Sequence, residues 1–202
     1  MKRYDRAYFD RFYRTPRHRV RTAGELRRRV ALVIGVTEYV LQRPLRSVLD
    51  VGCGEGAWLT ELRRIRPGVR YLGIDPSEYA VRRFGTRRNL RLGTLATLDD
   101  HAPRRRFDLV ICADVLHYLP PEDLALGLRQ LADRVGGVAY LPVFTSADDI
   151  EGDCAGWRRR PPAFYRRYIG DAGLVPVGLG CHVRASVAVD LLGALERPPH
   201  LP

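Results

Sequence analysis

Lysine is almost absent: Lys2 is the only one among 34 basic side chains, and the rest are arginine. No Gly-Lys-Ser/Thr follows any glycine-rich turn, which excludes the Walker phosphate cradle that depends on that lysine. Cysteine is sparse as well. Cys53, Cys112, Cys154 and Cys181 form no C-x-x-C pair and no ligand-like spacing with histidine. That pattern indicates neither a zinc site nor a disulfide framework and fits reduced thiols in a cytoplasm. No apolar run approaches the roughly 18 residues that span a bilayer, and no basic start leads into an apolar signal core. The expectation is a soluble, cytoplasmic protein with no membrane partner.

The chain has 202 residues, 46% of them hydrophobic, which suits one domain with a substantial core. Its formal charge is +11, and residues 1–30 carry eleven of the basic side chains against Asp5, Asp10 and Glu25. A basic surface attracts phosphate. The near-exclusive use of arginine is equally the mark of a codon bias, so nucleic acid stays an open partner without being the favoured one.

Against this background one stretch organises the rest, Val48-Leu49-Asp50-Val51-Gly52-Cys53-Gly54-Glu55-Gly56. An apolar, β-branched run passes through three glycines into Ala57–Leu62, which has helical periodicity: a strand, a tight turn and a helix start. Glycines there permit positive φ and let a ligand reach the main chain. A dinucleotide turn would read G-x-G-x-x-G, whereas Gly52, Gly54 and Gly56 give G-x-G-x-G after Asp50. The run resembles the first motif of the class I S-adenosylmethionine-dependent methyltransferases, D/E-x-G-x-G-x-G. The resemblance implies that Asp50, Gly52, Cys53, Gly54 and Gly56 form part of an S-adenosylmethionine site.

Val69–Asp75 reads as the second strand, ending in a carboxylate 25 residues beyond Asp50. Doubly wound folds place a ribose-binding acid about 20 residues on, where a carboxylate accepts from a vicinal diol. Asp75-Pro76-Ser77-Glu78 is also a good helix start, with Asp75 or Ser77 as the cap. The resemblance adds Pro76 to the cofactor site beside Asp75. After a third strand, Leu90–Leu92, the family often has Gly-Asp-Ala, its acid meeting the adenine amino group. This chain has Gly93-Thr94-Leu95-Ala96, leaving the Thr94 hydroxyl and the Leu95 amide for that edge.

Phe107–Leu119 resembles the family's fourth-strand segment, F-D-L-V-x-x-x-x-V-L-H-x-L. Residues at the carboxyl end of such a strand face the ligand crevice, so Ala113 and Asp114 are expected in the methyl-donor pocket. His117, with Asp114, is the candidate catalytic base, because a free imidazole titrates near 6.5; a structural histidine is the competing account. No Asn/Asp-Pro-Pro-aromatic tetrapeptide of base-amino and glutamine methylation is present.

Toward the N-terminus, Tyr4, Tyr8, Phe9, Phe12 and Tyr13 interleave with arginines at spacings of four, one broad side of a helix. It could simply dock on the domain. In the family an N-terminal helix often closes over the cofactor, and Arg19 or Arg21 would then meet the methionine carboxylate. A second helix from about Ala23 should stop before Pro44.

In the second half, a helix from Leu124 to Val135 is expected to end at Gly136-Gly137, before a fifth strand, Val138–Phe144. Residues 145–162 read as a loop, acidic and then basic around Trp157, and a helix follows from Phe164. Val175–Val183 and Ser186–Leu192 are the expected final antiparallel strands, before a tail from Pro198. The expected fold is α/β, a doubly wound, seven-stranded, mostly parallel sheet with an N-terminal helical extension: residues 1–45 as a cap, 46–195 as the S-adenosylmethionine-binding domain and 196–202 as a tail. The expected function is methyl transfer to a hydroxyl or amine of a small molecule by in-line displacement, without a metal. An RNA methyltransferase and a non-catalytic S-adenosylmethionine-binding module are the alternatives.

Overall fold

The structure is a computed structural model and describes residues 3–18, 20–149, 152–193 and 196. Seven strands form one sheet: β1 Ser47–Val51, β2 Arg70–Asp75, β3 Leu90–Leu92, β4 Phe107–Ile111, β5 Val135–Tyr140, β6 Leu174–Gly178 and β7 Cys181–Arg184. Their order is β3-β2-β1-β4-β5-β7-β6. β1 to β5 run parallel, and β7 is antiparallel to both β5 and β6. The chain order reverses between β1 and β4, and at such a point the connections part to opposite faces and leave a crevice beyond the strand ends.

Strand alternation assigns the two faces. Val48, Tyr71, Leu109, Ile111 and Val138 pack into one cluster, and Leu49, Val51, Leu72, Ile74 and Val110 into the other. The first face is covered by α2 (Ala23–Leu41), α3 (Ala57–Ile65), α4 (Glu78–Arg88) and α8 (Ala185–Leu191); the second by α5 (Leu98–His101), α6 (Pro121–Asp133) and α7 (Pro162–Asp171).

α2 starts with a capping box, in which the Glu25 amide donates to Thr22 Oγ1 at 3.2 Å and the Thr22 amide to Glu25 Oε2 at 2.6 Å. Its buried stripe is Leu26, Val30, Val33, Ile34 and Thr37, which makes α2 a full part of the sheet's cover. Ahead of it, α1 (Arg6–Phe9) widens into a π-helical turn over Asp10–Arg14. The ring pairs read from the spacing of four all form, with centroids 5.1 Å apart for Tyr4 and Tyr8, 5.1 Å for Tyr8 and Phe12, and 5.5 Å for Phe9 and Tyr13. No helix among the described residues is long and apolar enough to cross a membrane.

Three sequence expectations are corrected. Gly136 and Gly137 do not cap α6, which ends at Asp133; they lie inside β5. A Cβ on Gly137 would stand 2.6 Å from the carbonyl oxygen of Asp108, so these glycines serve close strand packing, which in a single sequence looks the same as a helix stop. β5 itself ends at Tyr140, short of Phe144. Val175–Val183 is not one strand: Gly178, Leu179 and Gly180 all take positive φ and fold it into the β6–β7 hairpin, and Ser186–Leu191 is helical. The tail from Pro198 lies outside the described residues.

Two glycines should respond in opposite directions. Gly137→Ala should destabilise the chain by about 1 to 3 kcal/mol through overpacking. Gly35→Ala, on the exposed side of α2 with nothing within 4 Å of its Cβ position, should stabilise it by up to about 1 kcal/mol through helix propensity. Urea denaturation of the two variants checks both signs.

Candidate functional site

The turn leaving β1 is held in a conformation that demands glycine. Gly52, Gly54 and Gly56 have φ of 74°, 55° and 75°, the left-handed region that a side chain strains. The amides of Gly52 and Cys53 both donate to the Ile74 carbonyl, at 2.8 and 3.2 Å. A Cβ on Gly52 would come within 2.3 Å of Val115 Cγ2, and one on Gly54 within 3.2 Å of the Phe9 ring. Gly56 is the N-cap residue of α3 and is not among the residues that line the cavity.

The carboxylate ending β2 joins this turn to the next one. Asp75 Oδ2 accepts from the Gly54 amide at 2.6 Å, and Oδ1 accepts from the Ser77 amide at 2.8 Å. Ser77 is the cap of α4, its Oγ accepting from the Ala80 amide at 3.0 Å. Asp75 is therefore left to brace two backbones with one face on the cavity. A carboxylate has about four acceptor positions, so two stay available. Burial pushes its carboxyl above the usual range, against the pull of the two amides.

Below the turn, Asp50 is buried and accepts from the Tyr71 hydroxyl at 2.7 Å. Burial pushes its carboxyl up to about 7, Tyr71 and Arg21 pull it down, and Asp75 adds to the rise. The Cys53 thiol is pushed well up by burial and then by Asp50 and Asp75. Such a thiol is a poor nucleophile.

These residues open on a cavity of about 580 Å³, within the usual span for small-molecule sites. Asp50, Gly52, Cys53, Gly54, Asp75, Pro76, Thr94, Leu95, Ala113, Asp114 and His117, scattered over 68 positions of sequence, all line it. Thr94 is partly engaged, its hydroxyl 3.1 Å from that of Thr97 and accepting from the Thr97 amide at 3.2 Å. The adjoining α5 is pinned by Arg134, a fully buried arginine that donates to Asp99 Oδ1 at 2.8 Å and to the Ala102 carbonyl at 3.0 Å. Asp114 holds φ of 60° and accepts from Arg29 at 2.9 Å. Strain of this kind gathers at functional sites. His117 is 1% exposed, on a short 3₁₀ turn at Leu116–Tyr118, with its ring centroid 4.2 Å from that of Tyr118 and 5.4 Å from that of Phe144.

Several wall residues escaped the sequence reading. Arg29 read only as a helix position and Asp153 fell in a loop read only as acidic and then basic; beneath the wall, Tyr71, the partner of Asp50, read only as a strand position. Asp153 is buried, accepting from the Tyr8 hydroxyl at Oδ2 (2.8 Å) and from the Tyr118 hydroxyl at its carbonyl (2.8 Å). No local signal marks it. The N-terminal segment lies over the glycine turn through Phe9, through Ser77 Oγ donating to the Tyr4 carbonyl at 2.5 Å, and through Arg14 donating to Glu55 at 2.6 and 2.7 Å. Arg21 lines the cavity, while Arg19 lies outside the described residues.

Residues 49–136 match the family model of a methyltransferase domain. Among solved structures, the chain is similar to an O-methyltransferase family protein from Burkholderia thailandensis (17% identity, 79% of this chain and 56% of that one, TM-score 0.50). It is similar also to a SAM dependent methyltransferase from Archaeoglobus fulgidus (18% identity, 84% and 73%, TM-score 0.58). A third is the plantazolicin methyltransferase BamL, solved in complex with a triazolic desmethylPZN analog and SAH (14% identity, 76% and 66%, TM-score 0.59). The chain spans little more than half the length of the Burkholderia protein. At these identities the likeness is one of fold.

The state of Asp50 sets a pH dependence. Its folded value lies above the ordinary 3.8, near 7, so the protonated form favours the fold. The stability it permits is full below about pH 4, is lost as pH rises toward 7, and changes no further above that. Asp50→Asn removes this loss. The difference in unfolding free energy, variant minus parent, should therefore grow from pH 4 to 7 and then level off, as read by urea denaturation at each pH; a flat difference would contradict it.

Proposed function

We propose, from the premise that this chain carries a class I S-adenosylmethionine-dependent methyltransferase domain, that it binds S-adenosylmethionine at the turn after β1 and passes the methyl group to a hydroxyl or amine of a small molecule. The observation that carries this reading is Asp75: one buried carboxylate braces the Gly54 and Ser77 amides and still presents acceptor positions to the cavity, 25 residues after Asp50. That is the placement a ribose diol requires. The cavity fits the cofactor in the rest of its outline too. The open backbone of Gly52–Gly54 suits its methionine end, Thr94 and Leu95 its adenine edge, and Arg21 a carboxylate.

When bound, S-adenosylmethionine supplies a methyl group made electrophilic by its sulfonium. The protein's share is then placement, which can account for about 7 to 11 kcal/mol of a barrier. The segment carrying Phe9 and Tyr13 covers the turn and excludes water from it, and the contacts of Tyr8 with Asp153 and of Arg14 with Glu55 close that cover against the opposite wall. For a hydroxyl acceptor a proton must leave. His117 and Asp114, both on the cavity wall, are the candidate bases. The cavity and its size favour a small acceptor over a nucleic acid.

Calorimetry with S-adenosylhomocysteine should give micromolar binding, weakened at least about tenfold by Asp75→Ala, the loss expected for hydrogen bonds to a charged group. Gly54→Val should weaken it comparably, because its Cβ would crowd Phe9 from a strained φ. Full affinity in both variants would refute the placement. A metabolite screen read by S-adenosylhomocysteine release should then return a small hydroxyl or amine compound.

A further inference from the structure

Tyr71 has no role in the reading so far beyond its bond to Asp50. The two stand on one face of the sheet, where β1 and β2 pair Val48 with Tyr71 and Asp50 with Gly73. Gly73 is bare for a reason of space, because a Cβ there would stand 2.6 Å from Cys53 Sγ. Tyr71, two residues earlier, reaches along that face and donates its hydroxyl hydrogen to Asp50 Oδ2 at 2.7 Å. Burial and then Asp50 push the phenol well up, so it keeps the proton that it donates.

Asp50 is thereby tied at one oxygen. Among the described residues no hydrogen bond reaches its Oδ1, although the residue is 2% exposed and lines the cavity. A buried acceptor left unpaired costs free energy, and a donor on a ligand removes that cost. Arg21 lines the same cavity and pulls the Asp50 carboxyl down through space, yet it makes no ion pair with Asp50 or with any other described acid. The other titratable groups around Asp50 are Asp75 at the end of β2, Cys53 in the turn and Cys112 just after β4, none of them a cation. One acid and one base therefore face the same hollow without meeting, an arrangement complementary to a zwitterion.

We propose that Tyr71 is a positioning residue of the cofactor site: it fixes Asp50 with Oδ1 turned to the cavity, where that oxygen takes the ammonium of an α-amino-acid end while Arg21 takes its carboxylate. The inference deepens the methyltransferase reading and rests on it. Its physical consequence is a proton linkage. Burial pushes the Asp50 carboxyl up to about 7, whereas an ammonium beside it favours the charged form. Binding therefore releases a proton wherever Asp50 holds one, so affinity rises as pH rises to about 7 and levels off above it. Tyr71 donates to the charged form and pulls the carboxyl down. Without its hydroxyl, the rise moves to higher pH.

The test is binding, with adenosine as the reference ligand. Adenosine lacks the amino-acid end and shares with S-adenosylhomocysteine any titration of Asp75 at the ribose. By calorimetry, the affinity of S-adenosylhomocysteine relative to adenosine should rise about tenfold from pH 6 to 8 in the parent chain. Tyr71→Phe should move that rise up by about one pH unit, so that at pH 7 S-adenosylhomocysteine binds about fivefold more weakly and adenosine as before. Tyr71→Met, which also lacks the hydroxyl, gives the same readout if Tyr71→Phe does not fold. Asp50→Asn should flatten the ratio. A flat ratio in the parent overturns the proposal whatever the variants do, and so does a Tyr71 variant that leaves the rise where it was, including one that weakens both ligands alike. Binding with a flat ratio removes this inference alone, whereas no S-adenosylhomocysteine binding by the parent at pH 8 removes the methyltransferase reading with it.

Discussion

A single carboxylate ties the site together. Asp75, at the end of β2, accepts from Gly54 in the turn after β1 and from Ser77 at the start of α4. Those two backbones leave neighbouring parallel strands, and Asp75 adds to the hold that the Gly52 and Cys53 amides already have on the Ile74 carbonyl. Because both amides would be orphans at a buried turn, satisfying them from one side chain fixes the spacing of the crevice floor and removes a desolvation cost. The three left-handed glycines follow from that closeness, since the turn must pass under Phe9 and beside Val115 without a Cβ.

The same economy of space governs the electrostatics. Acids and arginines both face the cavity, and of the arginines Arg29 is met there by Asp114 and Arg14 by Glu55. Burial raises the Asp50 carboxyl to about 7 and pushes the Cys53 thiol well up.

The walls come from parts of the chain far apart in sequence: the N-terminal segment and the start of α2, the turns after β1, β2 and β3, the runs after β4 and β5, and the loop before α7. Asp153 draws two of them together by accepting from Tyr8, 145 residues away, and from Tyr118. Closing such long connections costs only slowly growing entropy, so a few hydrogen bonds and ring contacts suffice to hold the cover down.

What the sequence determined by itself was the local grammar: the glycine turn after an apolar strand, the acid at the end of β2, the capped helices, and the apolar run of β4 leading to Asp114 and His117. Each is a pattern of neighbours, and neighbours in sequence are constrained by backbone geometry alone. It misplaced Gly136 and Gly137, because a helix stop and a close strand approach ask for the same residue, and it merged β6 with β7, because a turn through Leu179 carries no polar signal. The partners of Asp50, Asp114 and Tyr8 are Tyr71, Arg29 and Asp153, separated from them by 21, 85 and 145 positions. Only the folded chain decided these pairings, since what selects a partner at that separation is burial and the need to satisfy a polar group, and neither exists until the sheet has closed around it.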